Sequence, residues 1–261
     1  MTVAVGVFGA AGRMGSTVCQ AVAADPDLTL AAAVDPGATG KSLGQITGIA
    51  TDLEIVGRAD HLGVKPDVMI DFTVLEAGRE NLAWCAANGV HAVVGTTGFT
   101  EDDLEAFRRT FTTSNCLIAP NFAIGAILMM RFAELAAPWF DTAEVIEFHH
   151  DAKVDSPSGT AMRTVERMAA ASQEWAPDPT TTHTVAGARG GEGPSGIRVH
   201  SVRMRGMVAH QEVLLGTTGQ TLTIRHDSYD RSSFMPGVVL AAKQIADHPG
   251  VTIGLDTLID L

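Results

Sequence analysis

The feature that most limits what this chain can fold into is the order of its first 35 residues. An apolar β-type run from Val3 to Phe8 stops at glycine, and Arg13 to Ala24 then carries helical spacing. Between them lies Gly9-Ala10-Ala11-Gly12-Arg13-Met14-Gly15. In that position, backbone N–H groups and the positive end of the helix suit a pyrophosphate, and glycine lets the phosphates approach the main chain. The spacing is GxxGxxG rather than GxGxxG, so the turn by itself does not separate a nucleotide site from a plain glycine-rich turn. A second apolar run, Leu28 to Val34, ends in Asp35, 20 residues beyond Gly15, where a carboxylate accepts hydrogen bonds from ribose hydroxyls. Strand, glycines, helix, strand and acid in that order predict dinucleotide binding.

The same rhythm continues. Strand-like runs at Asp67 to Thr73, His91 to Thr96 and Asn115 to Ala119 are separated by helical stretches at Glu76 to Asn88 and Glu101 to Phe111, with Gly89 where a helix C′ glycine belongs. Pro36 to Gly48 reads as a surface loop. Strands alternating with helices at this pitch predict right-handed crossovers and an α/β fold with a Rossmann-like, doubly wound parallel sheet. From about Ala143 the pattern changes to strands at Val145 to Phe148, Ile197 to Met204, Ala209 to Leu215 and Thr221 to His226. This predicts an inserted α+β mixed-sheet domain over 122–230. Phe234 to Asp247 reads as helix and Val251 to Leu258 as strand, so 231–261 is expected to rejoin 1–121. The glycine-rich stretch Ala186 to Gly196 is expected to act as a mobile lid.

At 261 residues and 46% apolar, the chain can bury two modest cores. A formal net charge of -12 opposes tracking of a phosphate backbone, so no nucleic-acid partner is expected. No run approaches the roughly 18 apolar residues of a membrane span, and no basic segment precedes the first apolar run, so a cytoplasmic location without membrane contact is expected. Cys19, Cys85 and Cys116 are widely spaced among apolar neighbours, which implies a reducing compartment and neither disulfides nor zinc.

Two further loops, Gly95-Thr96-Thr97-Gly98 and Ala119-Pro120-Asn121-Phe122, follow predicted strands, where ligands of open α/β sheets bind. The residues richest in chemistry are Glu147-Phe148-His149-His150-Asp151-Ala152-Lys153-Val154-Asp155-Ser156-Pro157-Ser158-Gly159-Thr160. Neighbours on a strand face opposite ways, so His149 and His150 do not clasp one metal, and no metal is expected. One histidine suits acid–base work while the other, with Lys153, suits an anion. Ser158-Gly159-Thr160 then opens a helix whose N–H groups suit a carboxylate. Read alone, the segment is also compatible with a capped helix flanked by solvated histidines.

Gly9 to Gly15, Val94-Gly-Thr-Thr-Gly-Phe99, Ala119-Pro-Asn-Phe-Ala-Ile-Gly125 and His149-His-Asp-Ala-Lys-Val-Asp-Ser-Pro-Ser-Gly-Thr160 occur in the order that resembles the 4-hydroxy-tetrahydrodipicolinate (dihydrodipicolinate) reductase family, nearly end to end. That resemblance implies reduction of 4-hydroxy-tetrahydrodipicolinate to tetrahydrodipicolinate by NADH or NADPH in diaminopimelate and lysine biosynthesis. It also implies a homotetramer built through the inserted sheets. Carried over by position, it places Gly9, Ala10, Ala11, Gly12, Arg13 and Met14 at the pyrophosphate and Asp35 at the ribose. Gly95, Thr96, Thr97, Ala119, Pro120, Asn121 and Phe122 fall on the nicotinamide side, with Arg231 and Phe234 closing over the cofactor. His149 and Lys153 fall at the catalytic positions, and His150, Ser158, Gly159 and Thr160 at the cyclic dicarboxylate; whether His149 or Lys153 gives the proton stays open. Ser156 replaces the family's more frequent alanine. Pro36 replaces an arginine some members carry, which removes one natural partner for a 2′-phosphate and leaves Lys41 as a substitute. Competing readings are another two-domain nicotinamide oxidoreductase, which has no use for the 149–160 cluster, and a nucleotide-sensing regulator, which needs a partner-binding tail or basic helix that the chain lacks.

Overall fold

The structure, a computed structural model, describes residues 2–259; Met1, Asp260 and Leu261, assigned by sequence to the first domain, lie outside the described residues. The chain divides into two compact units, Met1–Phe122 with Arg231–Leu261, and Ala123–Asp230. The second unit therefore starts at Ala123, one residue later than the expected start of the insertion at Phe122. Phe122 is buried and packs on Phe72, ring centroids 5.5 Å apart, which ties it to the first unit.

In the first unit, β1 (Val3–Phe8), β2 (Leu28–Val34), β3 (Val68–Asp71), β4 (His91–Val94), β5 (Cys116–Ile118) and β11 (Val251–Ile253) form a six-stranded sheet in the order β11-β5-β4-β3-β1-β2. Every recorded pairing is parallel. The strands are almost continuously apolar, as a parallel sheet covered on both faces demands. Helices α1 (Arg13–Ala24), α3 (Leu75–Asn88), α4 (Glu101–Thr110) and α7 (Met235–Gln244) supply the cover. Phe8, Met69, Leu82, Val94, Phe107 and Cys116 belong to one buried cluster. Helix ends follow from sequence: Thr100 and Asp103 form a capping box on α4, and Gly89 ends α3 at φ 60°.

Two segments differ from the sequence reading. Pro36 to Gly48 contains a 3-10 turn at Pro36–Ala38 and a short helix, α2 (Leu43–Thr47), capped by the Ser42 hydroxyl and closed by Gly48 at φ 76°. Val251 to Leu258 is strand only to Ile253, because Gly254 takes φ 93° and starts a 3-10 turn at Leu255–Leu258.

In the second unit, β6 (Thr142–His149), β7 (Gly191–Glu192), β8 (Arg198–Arg203), β9 (Ala209–Thr217) and β10 (Gln220–Ser228) form a mixed sheet ordered β10-β9-β6-β8-β7. β6 pairs parallel to β8 and antiparallel to β9. Helices α5 (Ile124–Ala136) and α6 (Gly159–Ala171) pack on one another, α5 against β10 and α6 against β6. The period-2 alternation of the strands buries Val145, Val199, Val213 and Leu215 on the helix-covered face. Ile146, Phe148, Val202 and Leu214 lie on the other face, only partly buried, with the Arg225 guanidinium 5.5 Å from the Phe148 ring centre. Among the described residues no helix is long and apolar enough to cross a membrane.

Candidate functional site

In the first unit the strand order reverses beside β1: β2 lies on one side and β3, β4 and β5 on the other. Loops leaving the C-terminal ends of β1 and β3 diverge at such a switch point and open a crevice. A cleft of about 440 Å³ lies there, lined by Gly9, Gly12, Asp35, Arg58, Thr73 and Trp84 among others, a size within the usual range of small-ligand sites.

Gly9 sits at φ 68°, a conformation glycine adopts without strain. Gly15 allows the turn to close, because a Cβ there would stand 2.0 Å from the Gly9 carbonyl oxygen. α1 starts at Arg13 with no side-chain cap and no acid in its first turn, so its leading N–H groups and dipole remain available to an anion. One Asp35 oxygen accepts from the Ala11 N–H at 3.1 Å and the other from the Gly37 N–H at 2.9 Å, which locks the carboxylate at the rim of the glycine turn. These features fit a dinucleotide's pyrophosphate and ribose. Ala10 is buried beneath the turn, whereas Arg13 is exposed and Met14 half-buried at the helix start.

The remaining cofactor candidates cluster at the same edge of the sheet without lining this cleft. Thr96 is buried after β4, between Gly95 and the exposed Thr97, and donates to Asp71 at 2.7 Å. Ala119 donates its N–H to Val94 at 2.9 Å; Pro120 is exposed, Asn121 half-buried and Phe122 buried. Arg231 and Phe234 bound a 3-10 turn leading into α7. Lys41 is exposed and outside the cleft lining.

Sequence reasoning missed Arg58 and Asp71. Asp35 donates its N–H to the Val56 carbonyl at 2.9 Å, which brings Gly57 and Arg58 to the cleft beside Asp35; the only sequence signal was the short apolar pair Ile55-Val56. Asp71, buried at the end of β3, accepts from the Thr73 N–H and hydroxyl, the Asn81 amide and the Thr96 hydroxyl. Its signal was an acid closing an apolar strand, the same signal that marked Asp35.

In the second unit the chemistry gathers where β6 ends. His149 is its last residue, half-buried, with Nδ1 against the Glu147 carboxylate. Burial lowers the His149 pKa, the Glu147 hydrogen bond opposes that, and the charges of Lys153 and Arg203 add to the lowering. Burial alone would raise the Glu147 carboxyl, but hydrogen bonds from Arg203, Ser201 and His149 outweigh it, and Glu147 titrates below the usual range. His150 is exposed beyond the strand end. Lys153 bridges to Asp155 at 2.7 and 2.8 Å. Ser158 caps α6 through the Ala161 N–H at 3.2 Å, with Gly159 and Thr160 as its first helical residues. Thus His149, Lys153 and the start of α6 come together, and His150 stands out to solvent.

A second cavity, of about 460 Å³, opens at the opposite end of β6, between Trp175–Pro179 and Arg198. It contains none of the sequence-predicted catalytic, substrate or cofactor residues. Arg189, from the glycine-rich stretch, is clamped there by Glu144 at 2.6 Å and Asp178 at 3.4 Å, and Gly191–Glu192 pairs with β8, so the expected lid is tied down in this conformation.

Two family models cover almost the whole chain: dihydrodipicolinate reductase, N-terminus, over residues 3–122, and dihydrodipicolinate reductase, C-terminus, over residues 125–259. A 4-hydroxy-tetrahydrodipicolinate reductase from Corynebacterium urealyticum is 48% identical over 264 residues, covering 98% of this chain and 98% of that protein. The enzyme of the same description from Mycobacterium ulcerans is 48% identical over 98% of this chain and 99% of its own length. Among solved structures, a dipicolinate-bound dihydrodipicolinate reductase from Paenisporosarcina sp. TG-14 superposes with a TM-score of 0.88 at 38% identity, covering 99% of this chain and 100% of that one.

Proposed function

Because the chain belongs to the dihydrodipicolinate reductase family, we propose that its two units divide one reaction, the first holding NADH or NADPH and the second holding the cyclic dicarboxylate. The chain is an NAD(P)H-dependent oxidoreductase that reduces 4-hydroxy-tetrahydrodipicolinate to tetrahydrodipicolinate in diaminopimelate and lysine biosynthesis. When bound, the nicotinamide supplies the hydride. Gly9, Ala10, Ala11, Gly12, Arg13 and Met14 hold the pyrophosphate and Asp35 the ribose; Gly95 to Thr97 and Ala119 to Phe122 form the nicotinamide side, and Arg231 and Phe234 border it.

His150, Ser158, Gly159 and Thr160 receive substrate carboxylate, through an imidazole and the N–H groups opening α6. The observation that carries this reading is that both oxygens of one carboxylate, Glu147, reach the two halves of the site: His149 Nδ1 on one and the Ser158 N–H, at 3.3 Å, on the other. A proton-transfer group and an anion-binding helix start are therefore held side by side. The ammonium of Lys153, paired with Asp155, is a fixed charge suited to a carboxylate, which leaves His149 as the proton donor. The half-exposed apolar patch Ile146, Phe148, Val202 and Leu214 supports assembly of a homotetramer through the open sheet face. The three buried cysteines and the absence of a spanning helix among the described residues are compatible with a cytoplasmic enzyme.

The test is a coupled assay with synthase-generated substrate, following loss of NADH absorbance. His149→Gln is expected to lower kcat by about 10² or more with little change in KM, and Lys153→Ala to raise KM for the dicarboxylate. Near-normal kcat in His149→Gln together with abolished turnover in Lys153→Ala would make the lysine the donor.

A further inference from the structure

Glu147 is fully buried on the helix-covered face of β6, and Arg203 meets it end-on, Nη1 2.8 Å from Oε2 and Nη2 2.7 Å from Oε1. The same Arg203 Nη2 donates to the Asp155 carbonyl at 2.7 Å, and the Asp155 carboxylate holds Lys153. His149, Ser158 and Lys153 all hang from this one ion pair. A buried ion pair is poor value for stability, since well-packed apolar side chains serve a fold at least as well. Its presence under the chemistry points instead to a task in positioning.

We infer that Glu147 is the positioning residue of the proton transfer: it holds the His149 proton on Nδ1, so that Nε2 is the atom that delivers a proton to substrate, and Arg203 keeps Glu147 ionised. This rests on the reading of His149 as donor. An ionised carboxylate only accepts hydrogen bonds, so the imidazole nitrogen facing it carries the hydrogen. Neutral His149 then presents a lone pair at Nε2, and the imidazolium presents Nε2–H. Loss of the 4-hydroxyl with the neighbouring ring hydrogen, as water, gives the conjugated imine; once a hydride has added at its C4, the electron pair left on the ring carbon between C4 and the imine carbon forms a new C–H bond with that proton. The Nε2–H bond breaks, its electrons stay on the ring, and solvent returns the proton. The charged groups facing the ring are Glu147 on β6, Lys153 on the following turn and Arg203 on β8. The two cations and burial oppose the imidazolium, and the Glu147 carboxylate is the group that favours it, so removing that carboxylate lowers the imidazolium population further.

Four variants and one measurement on the wild-type holoenzyme test this. Glu147→Gln is expected to lower kcat about 10- to 100-fold, the range seen when an orienting partner of a functional histidine is lost. KM for NADH should stay within about twofold, as the cofactor-binding elements are untouched, and the alkaline limb of the kcat–pH profile should move to lower pH. Combining Glu147→Gln with His149→Gln should cost no more than His149→Gln alone, and Glu147→Asp should recover part of the rate and of the limb position. Losses that multiply in the double variant, or a limb that stays in place, overturn the inference and leave Glu147 as a structural residue. If His149→Gln is itself near normal, the donor reading fails. The ¹⁵N spectrum of wild-type histidines, with the His149 signal assigned by its loss in His149→Gln, then still decides the positioning and does so even if the Glu147 variants do not fold. Neutral His149 with its proton on Nδ1 supports it, and with its proton on Nε2 refutes it.

Discussion

Asp71 lies under the floor of the cleft proposed to hold the cofactor, and replacing it gives two outcomes that the structure separates. Oδ1 accepts three hydrogen bonds, from the Thr73 N–H at 2.8 Å and from the Thr73 and Thr96 hydroxyls at 2.7 Å, while Oδ2 accepts one, from Asn81 at 2.7 Å. Asp71→Ala removes all four acceptor contacts. Thr96 is buried, so its orphaned hydroxyl costs about 1–3 kcal/mol; the other donors reach water when they move, and each loses about 1 kcal/mol net. The sum is about 4–6 kcal/mol, or a fall in Tm of roughly 10–20 °C for a chain of this size. Asp71→Asn keeps its carbonyl where Oδ1 was and so keeps three donors, losing their charge assistance and setting its amide against that of Asn81. That loss is about 1–2 kcal/mol, partly offset because a neutral group is cheaper to bury. Thr73 and Asn81 line the cleft, so NADH affinity should fall in the same order, alanine well below asparagine. Differential scanning fluorimetry with NADH titration reads both. Should Asp71→Ala lie within about 1 kcal/mol of wild type, with unchanged NADH affinity, the four bonds are worth no more than surface contacts and the reasoning is wrong.

Gly15→Ala should destabilise the protein and weaken NADH binding, because its Cβ meets only backbone, at 2.0, 2.7 and 3.0 Å, and no side chain can yield. Such overpacking typically costs about 1–3 kcal/mol, whereas Gly12→Ala, at 3.1 Å from the Gly9 oxygen, should be milder by thermal shift. Calorimetric titration should show NADH bound at least as well as NADPH, Asp35→Ala weakening NADH more, and Arg58→Ala weakening NADPH more. A wild-type NADPH preference above about tenfold, roughly 1.4 kcal/mol, contradicts this view of Asp35-Pro36.

What the sequence made legible was whatever local chemistry repeats. Apolar runs closed by glycine or acid located β1 to β4 and one closed by proline located β5, and the 149–160 segment stood out because its chemistry-bearing residues are neighbours in the chain. α5 was not legible as a helix: Ile-Gly-Ala-Ile-Leu-Met-Met-Arg-Phe-Ala-Glu-Leu-Ala is apolar on nearly every side, with no polar stripe to show a 3.6-residue period. α2 was too short to show a period, although Ser42 and Gly48 stood at its two ends as cap signals. The strand reading of Val251 to Leu258 continued through Gly254, whose positive φ turns the backbone out of the sheet. Arg58 was hidden because its place depends on a tertiary bridge between Val34 and Val56.

The largest gap between sequence and site is Arg203, 56 residues beyond Glu147, in a strand whose pattern says nothing of chemistry. Its position is dictated by register. β8 runs parallel to β6 with Glu147 opposite Ser201 and His149 opposite Arg203, so Glu147, His149, Ser201 and Arg203 share the helix-covered face. Side chains alternate between faces with a period of two, and a slip of one residue would carry Arg203 to the open face while leaving Glu147 ionised, buried and unpaired. The buried apolar pair Val145 and Val199, in the same register, is what forbids that slip. Apolar packing near the start of β6 thus sets the ion pair near its end, and the ion pair in turn sets the histidine. Since the register-setting contacts are spread over the whole strand pair and the residues that act lie at one end, the anchor of the site can be read only after the sheet has been assembled.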